Sequence, residues 1–216
     1  MSMERKDFDR EAASWDEKPE RVRLANDIAD AIRSEITPAL DMDVLDFGCG
    51  TGLVTLRLQP LVRSVTGADS SQGMLEILSA KIARQNLANV RTLYLDPEKN
   101  EILPGPYHLI ASSMTFHHVK DVRPLLALFY RSIAPGGYLA IADLDSEGGM
   151  FHGSGEGVFH PGFDRQELRR AFTEAGFREV RDSTAAEIVK PDCTGVMRRF
   201  SVFLITGRKT GPAAVR

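Results

Sequence analysis

The run Gly48-Cys49-Gly50-Thr51-Gly52 constrains this chain more than any other stretch. It follows the short apolar segment Val44-Leu45-Asp46-Phe47 and precedes a helical pattern over 53–61. Alternating glycines at that junction permit a tight strand-to-helix turn and let a ligand approach the backbone closely. In an open α/β sheet, ligands bind outside the carboxyl ends of the strands, where the strand order reverses. A loop of this kind is therefore a ligand site rather than a mere connection.

The surrounding pattern supplies such a sheet. A helical stretch over 8–16 opens the chain. Pro19 suits the first turn of a second helix, where its missing N–H costs nothing. Val22, Ala25, Ile28, Ala29, Ile32 and Ile36 then recur at three- and four-residue steps as one buried stripe, and Pro38 ends it. Strand-like segments follow at 64–68, 90–95, 107–112 and 138–142. Helices at 74–85 and 122–133 lie between them, the latter closed by Pro135-Gly136-Gly137. Alternating strands and helices mean βαβ units and a mostly parallel sheet covered on both faces. The six glycines of 146–162 read as a long loop. Asp164 is a candidate N-cap for a further helix that Gly176 ends. The β-rich stretches 179–189 and 200–206 read as an antiparallel pair. The 216 residues suit one domain over 1–216, with an N-terminal helical cap at 1–37, a lid-like loop at 144–163 and a tail at 209–216.

The choice of ligand turns on Asp46 and Leu53. A dinucleotide fingerprint wants a third glycine where Leu53 stands, and it seats a pyrophosphate beside the loop. Asp46 would then face an anion, at a cost of about 4 kcal/mol for like charges about 4 Å apart at an effective dielectric near 20. A ligand carrying an ammonium and a sulfonium reverses that sign, which describes S-adenosylmethionine. Asp69, about 20 residues past the loop, suits ribose hydroxyls in adenosine cofactors generally. Asp96 after the third strand can accept from an adenine amine, with Pro97 and Met74 as apolar contacts to the ring.

Four segments together resemble class I S-adenosylmethionine-dependent methyltransferases of small-molecule type, similar to the ubiquinone/menaquinone-biosynthesis-like group. They are Val44-Leu45-Asp46-Phe47-Gly48-Cys49-Gly50-Thr51-Gly52, Val65-Thr66-Gly67-Ala68-Asp69-Ser70-Ser71-Gln72-Gly73-Met74-Leu75, Leu109-Ile110-Ala111-Ser112-Ser113-Met114-Thr115-Phe116-His117-His118-Val119 and Pro135-Gly136-Gly137-Tyr138-Leu139. The likeness runs over 8–209. It implies an α/β, three-layer, Rossmann-like doubly wound sheet of seven strands in the order 3-2-1-4-5-7-6, with strand 7 antiparallel. It implies that the backbone around Gly48, Gly50 and Ser112 meets the methionine end of the cofactor, and that Asp69 holds the ribose and Asp96 the adenine; Asp46, Gly52, Ser70, Met74 and Pro97 are expected in the same cofactor site. His108 departs from the family's usual aspartate before the fourth strand, at the end of that strand away from the ligand.

The methyl acceptor is less constrained. The net charge of −3 shows no basic excess of the kind that nucleic-acid surfaces carry. Ser112-Ser113-Met114-Thr115 stands where amino-methylating nucleic-acid enzymes carry an Asn/Asp-Pro-Pro-aromatic segment, and neither Cys49 nor Cys193 follows a proline. A small-molecule acceptor is expected, with S-adenosylhomocysteine as the product. His117 and His160 are the candidate catalytic residues, as bases for an acceptor that must lose a proton. His118 and His152 are weaker candidates for the same role. Trp15 is a candidate lid contact, and the histidine spacing fits no zinc signature. Two alternatives stay open: a nicotinamide-dependent oxidoreductase, and a non-catalytic module that binds the same cofactor. The two cysteines, the charged start without an apolar run, and the lack of an apolar stretch long enough to span a bilayer point to a cytoplasmic protein.

Overall fold

The computed structural model describes residues 7–96, 99, 103–152 and 157–211. Five α-helices and seven strands fall within them, in the order α1 (Pro19–Ile36), β1 (Asp43–Phe47), α2 (Leu53–Leu58), β2 (Ser64–Asp69), α3 (Gln72–Gln85), β3 (Val90–Tyr94), β4 (Tyr107–Ser113), α4 (Val122–Ser132), β5 (Ile133–Leu144), α5 (Arg165–Glu174), β6 (Arg178–Pro191) and β7 (Met197–Arg208). The strands form one sheet in the order β3-β2-β1-β4-β5-β7-β6. β1 pairs in parallel with β2 on one side and β4 on the other, while β7 runs antiparallel to both β5 and β6.

Strand periodicity divides the core into two layers. Side chains alternate across a sheet, so Leu45, Phe47, Ile110 and Ile141 pack with Leu126, Phe129 and Phe172 of α4 and α5. Val44, Leu109, Ala140 and Ala142 pack on the other face with Ile28, Ile32 and Leu58 of α1 and α2. Asp46 shares the face of Val44, which sets it under α1 at the carboxyl end of the sheet.

Two local signals work as the sequence indicates: Pro19 opens α1, and Asp164 caps α5 by accepting from Glu167 N. At the start of α3 the Ser71 hydroxyl accepts from Met74 N. Two expectations need correction. Residues 8–16 do not form an α-helix; a 3-10 helix covers Ala12–Glu17. Asp9 before it and Asp16 within it are spent on other elements, so the segment follows its anchors rather than its own helical ladder. The helix expected to run to 133 ends at Ser132, and the following strand begins at Ile133, taking Pro135-Gly136-Gly137 into β5. Here β4 and β5 shift register between Tyr107 and Leu109, which accommodates the glycines within a paired strand. Among the described residues, no helix is long and apolar enough to cross a membrane.

Gly52 joins the loop to α2 with φ at +84°, and a Cβ there would stand 2.4 Å from Leu78 Cδ1 of α3. Gly52→Ala is therefore expected to lower stability by about 1–3 kcal/mol, for left-handed backbone strain and the clash together. Urea unfolding followed by circular dichroism measures it; an unchanged midpoint would show that α2 and α3 pack independently of this residue.

Candidate functional site

A cavity of about 470 Å³ opens above the carboxyl ends of β1, β2 and β4, within the range of small-ligand sites. Its floor is Asp46, the loop Gly48–Thr51, Asp69, Ser70 and Met74. Ser113, Met114, Thr115, His117 and His118 form the wall after β4. Phe8, Trp15, Lys18, Arg21 and Leu24 cover it from the N-terminal side, and Phe151, His152, Ile188 and Lys190 close the far end.

The floor is acidic and buried. Asp46 is 1% exposed, and the Thr55 hydroxyl donates to its carboxylate over 2.5 Å. Burial pushes its pKa up to about 6, and the charge of nearby Asp69 adds to that against the Thr55 bond. Burial also raises Asp69, whose two oxygens accept from the amides of Gly50 at 2.7 Å and Ser71 at 2.9 Å. Gly50 takes φ of +54°, which aims its N–H at that carboxylate. Two carboxylates side by side at the glycine loop, met there by amides and a hydroxyl, form an end of the cavity complementary to a cation.

The wall after β4 carries a second buried acid with the opposite behaviour. His117 is 2% exposed and Asp143 0%. His117 Nδ1 lies 2.7 Å from Asp143 Oδ1, and the amides of His117 and Leu144 also donate to this carboxylate. Burial pushes Asp143 up, but the His117 charge, the ring hydrogen bond and these amides outweigh it and hold it below the ordinary carboxylate value. With Asp143 ionised, Nδ1 is the donor, so in the neutral ring Nε2 is the nitrogen left to accept, on a side chain that lines the cavity. His118 Nδ1 likewise donates to the Gly157 carbonyl at 2.7 Å. The rings of His117, His118 and His152 lie with centroids 4.1–5.9 Å apart. Among the described residues, no group of three or more His, Cys, Asp or Glu side chains is placed to hold a metal ion.

The N-terminal cover is held by polar anchors at both ends. Asp9 accepts from the Ser71 hydroxyl and from Gly73 N at the start of α3. Asp16 accepts from the Thr51 hydroxyl of the glycine loop and pairs with Lys81, which also donates to the Thr51 carbonyl. Trp15 lies over the cavity with the Arg21 guanidinium 3.5 Å from its ring centre. Residues 157–163 are tied down too: the amides of Phe159 and His160 reach the His117 carbonyl, and Asp145 bridges Phe163.

Of the residues singled out in the sequence, the cavity brings together Asp46, Gly48, Gly50, Asp69, Ser70, Met74 and His117. Others stand apart. Gly52 serves the packing of α2 on α3 instead of the cavity wall. Ser112 faces the α4 and α5 layer by strand alternation, and Ser113 lines the cavity instead. Asp96 is buried beside Lys99 while Leu95 takes the cavity position; Pro97 lies outside the described residues. His160 is outside the lining too: its Nε2 is 2.9 Å from the Val119 carbonyl, which can only accept, and its ring packs on Phe163. Reading the sequence missed Asp143, Arg21 and Lys190. Asp143 had a signal, since it is the one charged residue in Leu139-Ala140-Ile141-Ala142-Asp143-Leu144. Arg21 and Lys190 had none.

The family model described as a methyltransferase domain matches residues 20–181. An uncharacterized methyltransferase of Schizosaccharomyces pombe is 31% identical over 149 residues, covering 62% of this chain and 52% of that protein. The malonyl-[acyl-carrier protein] O-methyltransferase of Bacillus cytotoxicus is 28% identical over 173 residues, 79% of this chain and 54% of that one. The chain thus spans about half the length of these curated relatives. Haemonchus contortus phosphoethanolamine N-methyltransferase 2, solved in complex with S-adenosyl-L-methionine, superposes with a TM-score of 0.69 at 15% identity, over 94% of this chain and 60% of that one.

Asp46 gives the site a pH signature. Its carboxyl titrates near pH 6 in the fold against 3.8 ordinarily, so the native state holds the proton more tightly than the unfolded chain does. That preference stabilises fully below about pH 3.8 and is lost as pH rises through about 6. Asp46→Asn, which still accepts from Thr55, is expected to unfold at a higher temperature than the parent at pH 8, by an effect on the order of 3 kcal/mol. The difference should vanish near pH 4. Parallel stability curves for the two proteins across pH 4–8 would contradict the assignment.

Proposed function

The chain belongs to the methyltransferase domain family, and from that premise we propose that it transfers a methyl group from S-adenosylmethionine to a small-molecule acceptor bound in the same cavity. The observation that carries the reading is the pair of buried Asp46 and half-buried Asp69 beside Gly50, a cleft with negative charge and an open glycine cradle. A Cβ on Gly50 would meet only Met74 Sδ, at 3.9 Å. The residues present fit the donor. Asp46 suits its positive end, Asp69 the ribose hydroxyls, and Met74 and Leu95 an apolar ring. A pyrophosphate in the same place would meet two carboxylates, which disfavours a nicotinamide dinucleotide.

When bound, the donor supplies a methyl group on an already activated sulfonium. The chain then contributes position and exclusion of water. Trp15, Phe8 and the Asp9 and Asp16 anchors keep the cover over the cleft. His117 is the candidate base: Asp143 fixes its tautomer, and Nε2 accepts the proton that a hydroxyl or thiol acceptor loses. In this reading His160 positions the segment behind His117 through Val119 and is no base.

S-adenosylhomocysteine is expected to stabilise the folded chain, by about 2.7 kcal/mol at 100 times its dissociation constant, and NADH is expected to have no effect. Affinity should weaken below about pH 6, where Asp46 takes up a proton. Calorimetry in which NADH binds and S-adenosylhomocysteine does not would overturn the cofactor reading.

His117→Ala is expected to lower turnover by about 10²–10⁴ on an oxygen or sulfur acceptor and to leave S-adenosylhomocysteine affinity near that of the parent. Asp143→Asn should act in the same direction, because an amide can donate to Nδ1 and shift the ring proton to Nε2. Parent-like turnover in His117→Ala would leave positioning as the whole of catalysis.

A further inference from the structure

β4 ends in a turn that its own alternation does not account for. Along the strand, Leu109 and Ala111 face the layer of α1 and α2, and Ile110 faces the layer of α4 and α5. Continued alternation would send Met114, in step with Ile110 and Ser112, to the α4 and α5 side. Instead Met114 packs against the α1 and α2 layer and lines the cavity. The backbone makes the change: Met114 has φ at +53°, in the left-handed region that a long side chain disfavours. Among the described residues other than glycine, Thr37, Asn86 and Glu179 share that sign of φ. Thr37 and Asn86 end α1 and α3, and Glu179 lies where β6 shifts register against β7. Met114 alone of the four lines the cavity, and strain of this kind concentrates at ligand sites.

The turn is pinned on both sides. The Met114 amide donates to the Ala142 carbonyl at 2.8 Å. The Thr115 hydroxyl donates to the Ser113 carbonyl at 3.0 Å, and the Thr115 side chain fills the space beside Gly48, where a Cβ would stand 2.2 Å from its Oγ1. A glycine in place of Met114 would make the same turn without the strain, so what the methionine adds is the placement of its side chain. Leu24 of α1 and Ile188 of β6 likewise pack on the α1 and α2 layer and line the cavity. Resting on the reading that the acidic end takes the methyl donor, we infer that Met114 is a specificity-determining residue for the acceptor: with Leu24 and Ile188 it closes the cavity toward that layer and limits the length of an apolar acceptor body. An unbranched thioether suits such a stop, because it fills irregular space between other side chains.

Two measurements on the full chain test this. Urea unfolding compares Met114→Gly with Met114→Ala, which lack the same thioether. At ordinary φ the glycine variant is the less stable of such a pair, and at positive φ the order reverses; Met114→Gly is therefore expected to unfold at the higher urea concentration. Calorimetry with saturating S-adenosylhomocysteine compares 4-ethylphenol with 4-hexylphenol as probes. Met114→Ala and Met114→Gly are expected to shift the preference toward 4-hexylphenol by about tenfold or more, as for a few newly buried methylenes. Met114→Leu should keep the parent's preference, and S-adenosylhomocysteine affinity should stay near the parent's in all three variants. A higher midpoint for Met114→Ala than for Met114→Gly, an unaltered preference in Met114→Ala, or failure of both phenols to bind parent and variants would overturn the inference. Phenols that bind only by displacing S-adenosylhomocysteine would overturn it as well. Met114-dependent selection between the phenols in a chain that fails to bind S-adenosylhomocysteine would leave the size limit standing and bring down the donor reading.

Discussion

The reversal of strand order beside β1 is the constraint on which the site depends. β2 lies on one side of β1 and β4 on the other, so the chain leaves these neighbouring strands in opposite directions. Neither helix layer fills the crevice this creates. The glycine loop turns across it, Asp69 rises beside it, and Ser113, Met114 and Thr115 wall its other side. Strand alternation then decides which side chains look into it, giving Asp46 and Ser113 to the cavity and Ser112 to the opposite core.

Buried acids on either side of that crevice show what a partner does to a carboxylate. Asp143 has the His117 ring and two amides, and these outweigh its desolvation. Asp46 has the hydroxyl and amide of Thr55 and a like charge nearby, so burial wins and its carboxyl is pushed up to about 6. The first is a satisfied pair that fixes a tautomer. The second is a deficit in the fold that a cationic ligand removes, and it lies where the glycine loop gives a ligand access.

The cover over the crevice is built differently from the core beneath it. α1 is anchored by Ile28 and Ile32, fully buried against the sheet. The segment before it is held by Asp9 on the start of α3 and by Asp16 on Thr51 and Lys81. Attachment through a few side-chain bonds at the protein surface belongs to the part of a structure that opens at low cost. The same anchors connect the cover to the loop whose ligand it encloses.

How much of this the sequence determined follows from the range of each interaction. The strand order, the helices from α1 to α5, the signals at Pro19 and Asp164, and the glycine loop with Asp46 and Asp69 are written in periodicity and short spacings, and the structure contains them. These depend on contacts within a few residues or on a side-chain period, which local reading can follow. The His117–Asp143 pair joins two strands' ends 26 positions apart. The meeting of Arg21 and Lys190 in one cavity joins the first helix to the edge strand. Neither leaves a local trace, because a lone lysine on a strand or arginine on a helix looks like any solvated residue. His160 shows the reverse case: its place in the glycine-rich segment suggested chemistry, and only the tertiary structure committed its Nε2 to the Val119 carbonyl. The sequence specified the sheet and the acidic, glycine-lined end of the cavity. Packing of α1, β6 and the segment after β5 over that sheet decided what faces it, since those elements are remote in the chain and meet only where the crevice leaves room.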